Sequence, residues 1–175
     1  MKFTPLSLKG AFLIEIESQA DARGFFARSF CIKELAKAGL PNKFVQSSFS
    51  FNAKKNTLRG MHYQISPHEE EKIVSCTRGS IFDVIIDMRT TSLTYLKWHS
   101  EILSQENFKQ IFVPKGFAHG FQTLEEETLV SYNISQFYEP NSARGLKFDD
   151  PKFDIKWPQA EQRIISERDL NYAPL

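Results

Sequence analysis

The chain is poor in cysteine: Cys31 and Cys76 are its only two in 175 residues, too few for a disulfide framework. It also lacks an excess of charge of either sign. Its 22 Lys and Arg stand against 21 Asp and Glu, which excludes the broad basic field that draws a protein to nucleic acid. An anionic ligand must therefore be held by a few local arginines. No apolar run approaches the roughly 20 residues needed to cross a bilayer. Met1 to Glu17 has neither the basic start nor the apolar stretch and small-residue cleavage site of a secretory signal. Together these absences predict a reduced, cytoplasmic protein with no nucleic-acid and no membrane partner. There is no linker, internal repeat or low-complexity segment, so the length predicts one domain over residues 1–175.

Phenylalanine is abundant, 16 residues beside 5 Tyr and 2 Trp, which suits the inner faces of sheets and an aromatic-lined pocket. Ile81 to Met88 alternates: Phe82, Val84, Ile86 and Met88 share one face, and Ile81, Asp83, Ile85 and Asp87 the other. Acids on one of two apolar faces predict a strand that lines a polar cavity. Lys72 to Thr77 is a second strand, and Arg78-Gly79-Ser80 between them predicts a hairpin. Further strands are expected at Ala11 to Ile16, Phe44 to Phe51, Lys97 to Leu103, Lys109 to Val113 and Leu129 to Ser135. Helix is scarce, the best candidate being Ile32 to Ala38 with Gly39 as its cap. Tyr138 to Pro158, with three prolines and no period, is expected to be a covering loop. Many short strands with little between them predict an all-β sandwich or barrel.

Two strings carry the chemistry: Thr57-Leu58-Arg59-Gly60-Met61-His62-Tyr63-Gln64 and Val113-Pro114-Lys115-Gly116-Phe117-Ala118-His119-Gly120-Phe121. A histidine in the mouth of a β-barrel either moves protons or holds a metal. Pro114-x-Gly116-x-x-His119 has the spacing of the second sequence block of the cupin superfamily, small jelly-roll barrels that often bind a metal. The first block of the metal-binding members contains His-x-His followed by Glu. Here it reads His62-Tyr63-Gln64, so the second histidine is missing; Glu69 lies at a plausible spacing and His68 is nearby, but a three-ligand site would need one of them to be recruited by the geometry of the fold. No metal is expected.

A further set of strings resembles one cupin family, the dTDP-4-dehydrorhamnose 3,5-epimerases, over nearly the whole chain. They are Asp21-x-Arg23-Gly24-Phe25-Phe26, Gln46, Leu58 to Gln64, Lys72-Ile73-Val74, Gly79 to Val84, Asp87-x-Arg89, Pro114 to Phe121, Tyr132, Asp149-Asp150-Pro151, Trp157-Pro158 and Ser166-x-x-Asp169. The resemblance implies a cupin jelly-roll barrel with a few short helices. It also implies cofactor-free inversion of C3 and C5 beside the ketone of a 4-keto-6-deoxyhexose nucleotide, within deoxysugar or polysaccharide synthesis. Such chemistry needs a base, an enolate stabiliser and an acid on the opposite face. By resemblance His62 is the base, Asp169 its partner, Lys72 the enolate stabiliser and Tyr132 the acid. Val130, Tyr132 and Ile134 share a strand face, as a phenol reaching into the barrel requires. Arg23 and Arg59 are the expected diphosphate grips, since guanidinium forks match phosphate oxygens. Phe26, Gln46, His119 and Tyr138 are further substrate contacts, and Asp83 is a histidine's partner in the cavity wall. In the family Arg23 and Phe26 come from the neighbouring subunit of a homodimer with swapped N-terminal strands. The chain departs from the family pattern at Arg28, where a glutamate is usual, and at Ser48, which bear on the choice of nucleotide base. Competing readings are inversion at C3 alone, ketone isomerisation of a related sugar, a silent sugar-binding cupin and a metal-dependent cupin oxygenase.

Overall fold

The computed structural model describes residues 1–175. Thirteen strands and two short helices follow one another as β1 (Lys2–Pro5), β2 (Phe12–Glu15), β3 (Ser18–Asp21), β4 (Gly24–Ala27), α1 (Ile32–Lys37), β5 (Gln46–Asn52), β6 (Leu58–Gln64), β7 (Lys72–Arg78), β8 (Ser80–Asp87), β9 (Trp98–Ser104), β10 (Lys109–Val113), β11 (Phe117–Thr123), β12 (Thr128–Ile134), β13 (Ala143–Gly145) and α2 (Glu167–Leu170). Six strands form one sheet in the order β1-β2-β10-β7-β12-β5, and five form the other in the order β13-β6-β11-β8-β9. The strand pairings within both sheets are antiparallel. The two face each other as the expected jelly roll.

The alternation of β8 decides what lies between and outside the sheets. Ile81 and Ile85 join Val74, Cys76, Ile111, Val113, Phe117, Phe121 and Val130 in the central core. Val84 and Ile86 point the other way and are covered, with Met61 and Ala118, by Leu146 and Phe153 of the tail. The tail is therefore the cover its composition predicts, although it also adds β13 to the edge of β6. Helix α1 seals the outer side of the six-stranded sheet, Leu35 packing with Ile14, Ile73 and Phe112. Gly39, at φ +74°, closes that helix where an L side chain is strained.

One expectation fails. Lys72–Arg78 and Ser80–Asp87 are strands, but they do not form a hairpin: β7 pairs with β10 and β12, whereas β8 pairs with β9 and β11. Arg78-Gly79-Ser80 is a corner at which the chain passes from one sheet to the other. Gly79 has φ +75°, and a Cβ there would lie 2.6 Å from Thr128 Oγ1. The glycine thus marks a crowded corner rather than an open turn, and a strand of either kind carries the same alternation.

The hairpin of β3 and β4 forms a separate two-stranded sheet whose residues Ser18 to Phe26 are all exposed. At the opposite extreme, Asp87 is fully buried at the end of β8. Burial alone would raise its carboxyl, but Arg89 Nε and Nη2, at 2.8 and 2.7 Å, outweigh that cost together with the hydroxyls of Ser92 and Thr94. The net effect holds its pKa at about 2. A depressed carboxylate stabilises the fold fully above its unfolded pKa near 4, and that stability is lost as pH falls through about 2. Asp87→Asn should accordingly cost about 2 kcal/mol at neutral pH. In thermal melts the gap between wild type and variant should close as pH approaches 2. A gap that stays constant from neutral pH to pH 2 would contradict this.

Candidate active site

Regular strand geometry points residues three apart to opposite faces, yet Arg59 and His62 both line one cavity. The pairing of β6 with β11 explains this. His62 stands opposite His119 and Arg59 opposite Phe121, so β6 carries one extra residue in that interval. This bulge turns both side chains inward. It depends on two glycines, because a Cβ on Gly60 would lie 2.5 Å from Gly120 Cα and 2.8 Å from His119 O. Gly60 also has φ +120°, which an L side chain rarely adopts.

The cavity has a volume of about 530 Å³, and its walls include Ser50, Arg59, His62, His119, Tyr132 and Asp169. A second cavity of about 210 Å³ is lined by Gln46, Glu70, Lys72 and Tyr138. His62 and Arg168 line both. The structure thus brings His62, Tyr132, Asp169, Arg59 and His119 together, and sets Lys72, Gln46 and Tyr138 on the other side of the His62 imidazole.

Asp169 reaches the site from the far end of the chain. Ile164 bridges Thr57 in parallel register, and the amides of Ile164 and Leu58 tie the C-terminal segment to the start of β6. Ser166 then caps α2 by accepting from the Asp169 amide at 3.1 Å. This leaves the carboxyl buried, with Oδ1 2.7 Å from His62 Nε2 and Oδ2 accepting from the Gly60 amide at 3.0 Å. Burial would raise the Asp169 pKa, but the hydrogen bonds of His62 and Gly60 outweigh it and lower it below the usual carboxylate value. An ionised carboxylate only accepts hydrogen bonds. His62 Nε2 therefore carries the proton in the neutral ring, and Nδ1 holds the free lone pair.

Tyr132 is governed by the opposite effect. Burial is the largest influence on it and raises its pKa, and the neighbouring charge of Asp83 adds to that. The phenol stays protonated and is a donor. Its ring meets His119 edge-on at 6.0 Å, and His119 Nε2 lies 2.7 Å from Asp83 Oδ2, the pairing expected for Asp83. Lys72 Nζ is 2.9 Å from Glu70 Oε1 in the wall of the smaller cavity, with only 12% of its side chain exposed.

No cluster of three or more His, Cys, Asp or Glu is arranged to hold a metal. His62 and His119 are each engaged by a carboxylate, while His68 bonds to Ser142 at 2.9 Å and Glu69 lines a different, smaller cavity. That donor set does not suit the oxygenase reading.

Arg23 and Phe26 are not brought to this cavity. Arg23 lies on the exposed arm, paired with Asp21 at 2.6 Å, its side chain 89% exposed, and Phe26 is 73% exposed. Arg28 lines neither cavity, and its charge is taken up by Glu34 at 2.6 Å. Sequence reasoning missed Arg168, which donates to Tyr172 Oη at 2.8 Å and stands at the join of the two cavities. Its position inside Ser166-x-x-Asp169 was the available signal. It also missed Asn52, whose Oδ1 accepts from Arg59 Nε at 2.7 Å.

Gly120→Ala tests the bulge with no backbone strain, since only space is at stake. Its Cβ would meet Met61 Sδ at 2.6 Å and Arg59 O at 2.8 Å. We expect a loss of about 2–3 kcal/mol, or roughly 5–10 °C in melting temperature. An unchanged melt would show that the two strands do not need this approach.

The family model described as dTDP-4-dehydrorhamnose 3,5-epimerase matches residues 5–175. A dTDP-4-dehydrorhamnose 3,5-epimerase of Sinorhizobium fredii is 43% identical over 100% of this chain and 90% of its own length. The crystal structure of dTDP-4-dehydrorhamnose 3,5-epimerase from Bacillus anthracis, with TDP and PPi bound, is 37% identical, covers 99% of each chain and superposes with a TM-score of 0.96. The Legionella pneumophila dTDP-6-deoxy-D-glucose-3,5-epimerase in complex with dTDP-4-keto-L-rhamnose is 38% identical, with a TM-score of 0.90 over 96% of this chain and 89% of that one.

Proposed function

The chain belongs to the dTDP-4-dehydrorhamnose 3,5-epimerase family, and from that premise we propose how its residues divide the work on a dTDP-4-keto-6-deoxy sugar. It is a cupin-fold isomerase. The whole chain acts as one domain on this reading. The observation that carries the reading is the pairing of a lone-pair imidazole nitrogen on His62 with a protonated phenol on Tyr132 in one cavity. Inversion beside a ketone needs this division, since one group must take a proton while another gives one on the opposite face.

His62 Nδ1 removes the proton from the carbon next to C4, and the C–H electron pair moves into the enolate. The resulting imidazolium is stabilised through Nε2 by the Asp169 carboxylate, 2.7 Å away. Lys72 stabilises the enolate oxygen. A nearly buried ammonium acts on developing negative charge far more strongly than one in bulk water. Tyr132 then donates its phenolic proton to the other face of the carbon, and solvent resets both groups before the second centre is inverted. Arg59 grips the diphosphate, His119 contacts the sugar, and Gln46 and Tyr138 bind from the smaller cavity.

We further propose a homodimer in which the arm of β3 and β4 delivers Arg23 and Phe26 to the partner's cavity. The support is an arm that pairs with neither main sheet and the exposed aromatics Phe25, Phe26, Phe49 and Phe51. A cytoplasmic location is part of the proposal; separately, no helix is long and apolar enough to cross a membrane.

Proton NMR in deuterated water tests the chemistry. Deuterium should enter C3 and C5 of the 4-keto sugar with wild-type protein, and His62→Asn should abolish exchange at both. Tyr132→Phe should still allow wash-in while net inversion falls by roughly 100-fold or more. Labelling at C3 alone would assign the single-centre reaction, and near-normal turnover by His62→Asn would remove its role as base.

Mixed subunits test the arm. Arg23→Ala and His62→Asn chains should each be poor alone. Unfolded and refolded together in equal amounts, they should regain about a quarter of the wild-type sites, because one site of each mixed dimer is then complete. No recovery would mean that Arg23 does not act across the dimer.

A further inference from the structure

Arginine in an open cavity has many rotamers, and a diphosphate grip works only if the guanidinium is already aimed. Arg59 is aimed from one side. Its Nε donates to Asn52 Oδ1 at 2.7 Å, and Nη2 reaches Phe51 O at 3.4 Å. Both partners are neutral oxygens of β5, so the whole positive charge stays available, and the remaining N–H donors are free for a ligand.

Asn52 is built for this task. It is 2% exposed, and its side chain lies on the inner face of β5, level with Thr128 on β12. Its amide nitrogen donates to Ser50 O at 3.0 Å and to Thr128 O at 3.3 Å. Those two carbonyls hold the NH2 group, so the amide cannot flip without setting donor against acceptor-poor guanidinium and carbonyl against carbonyl. The side-chain oxygen is left pointing at Arg59. An asparagine that served only to tie β5 to β12 would need the nitrogen alone.

We infer that Asn52 is the positioning residue of the anion site, locking Arg59 so that its free donors face the diphosphate of the nucleotide sugar. The inference rests on the reading of Arg59 as the diphosphate grip. Neutrality matters as much as geometry here, because a carboxylate facing the guanidinium would cancel charge that a diphosphate needs.

Calorimetry with dTDP and with inorganic pyrophosphate on full-length protein decides it, using Asn52→Leu, Asn52→Asp, Arg59→Ala and the double variant Asn52→Leu/Arg59→Ala. Asn52→Leu should weaken dTDP about tenfold, and Asn52→Asp, which keeps the shape but sets a carboxylate oxygen against Ser50 O and Thr128 O, at least as much. The double variant should be no weaker than Arg59→Ala, since Asn52 acts only through that side chain. In turnover, Asn52→Leu should raise KM while kcat stays within about twofold. Should Asn52→Leu fail to fold, Asn52→Ala, which removes both the oxygen that holds Arg59 and the amide nitrogen without adding bulk or charge, carries the test. If Arg59→Ala binds weakly while Asn52→Asp matches wild type, the inference falls and the grip stands. If Arg59→Ala itself matches wild type, both fall. A loss in kcat with KM unchanged, or additive losses in the double variant, would also overturn it.

Discussion

The close approach of β6 to β11 at Gly60 and Gly120 is the constraint on which the site depends. Without side chains there, the strands come near enough for β6 to carry its extra residue. The bulge then places Arg59 and His62, three residues apart, on one face. The same interval gives Asp169 its second anchor, since the Gly60 amide is what Oδ2 accepts from. A single packing contact thus fixes the arginine, the imidazole and the carboxylate that orients it. The rest of the barrel supplies a stiff frame, with Phe121 and Val130 packed in the central core beside the cavity.

Around that frame the carboxylate that orients the proposed base and the phenol proposed as the acid are tuned by opposing physics. Asp169 is buried, but its hydrogen bonds more than offset the loss of water, so it remains a carboxylate and dictates which nitrogen of His62 bears hydrogen. Tyr132 is half-buried in the cavity wall without such a partner, so the loss of water keeps it a neutral acid. The orienting carboxylate and the proposed acid differ in whether a compensating hydrogen bond accompanies the loss of water. His62 is a common wall of the larger cavity, with Arg59, His119 and Tyr132, and the smaller one, with Lys72, Gln46 and Tyr138.

Much of this was legible in the residues. The period of Ile81 to Met88 correctly separated an inward face bearing Asp83 from an outward one, because burial on both faces leaves acids only where a cavity or partner accepts them. Helix α1 and its Gly39 cap were equally visible. The corner at Gly79 was misread as a hairpin, since short-range pattern reports a reversal or bend but not which strand lies alongside. Asn52 and Arg168 escaped notice for a related reason. An asparagine after a run of Ser and Phe has no local signature, and the arginine had only its place inside Ser166-x-x-Asp169; each acquires meaning only when a distant strand or helix end is brought against it. The bulge was likewise hidden, because a one-residue insertion is defined by the partner strand.

The central claim is that Asp169 fixes His62 with hydrogen on Nε2 and leaves Nδ1 as the base. Nitrogen-15 NMR of ring-labelled histidine, with His62 identified by comparison with His62→Asn, reads that tautomer directly. The account predicts a protonated-type shift at Nε2 and an unprotonated-type shift at Nδ1 in the neutral ring, with the preference lost in Asp169→Ala. Hydrogen on Nδ1 instead, or an equal mixture that Asp169→Ala leaves unchanged, would contradict it.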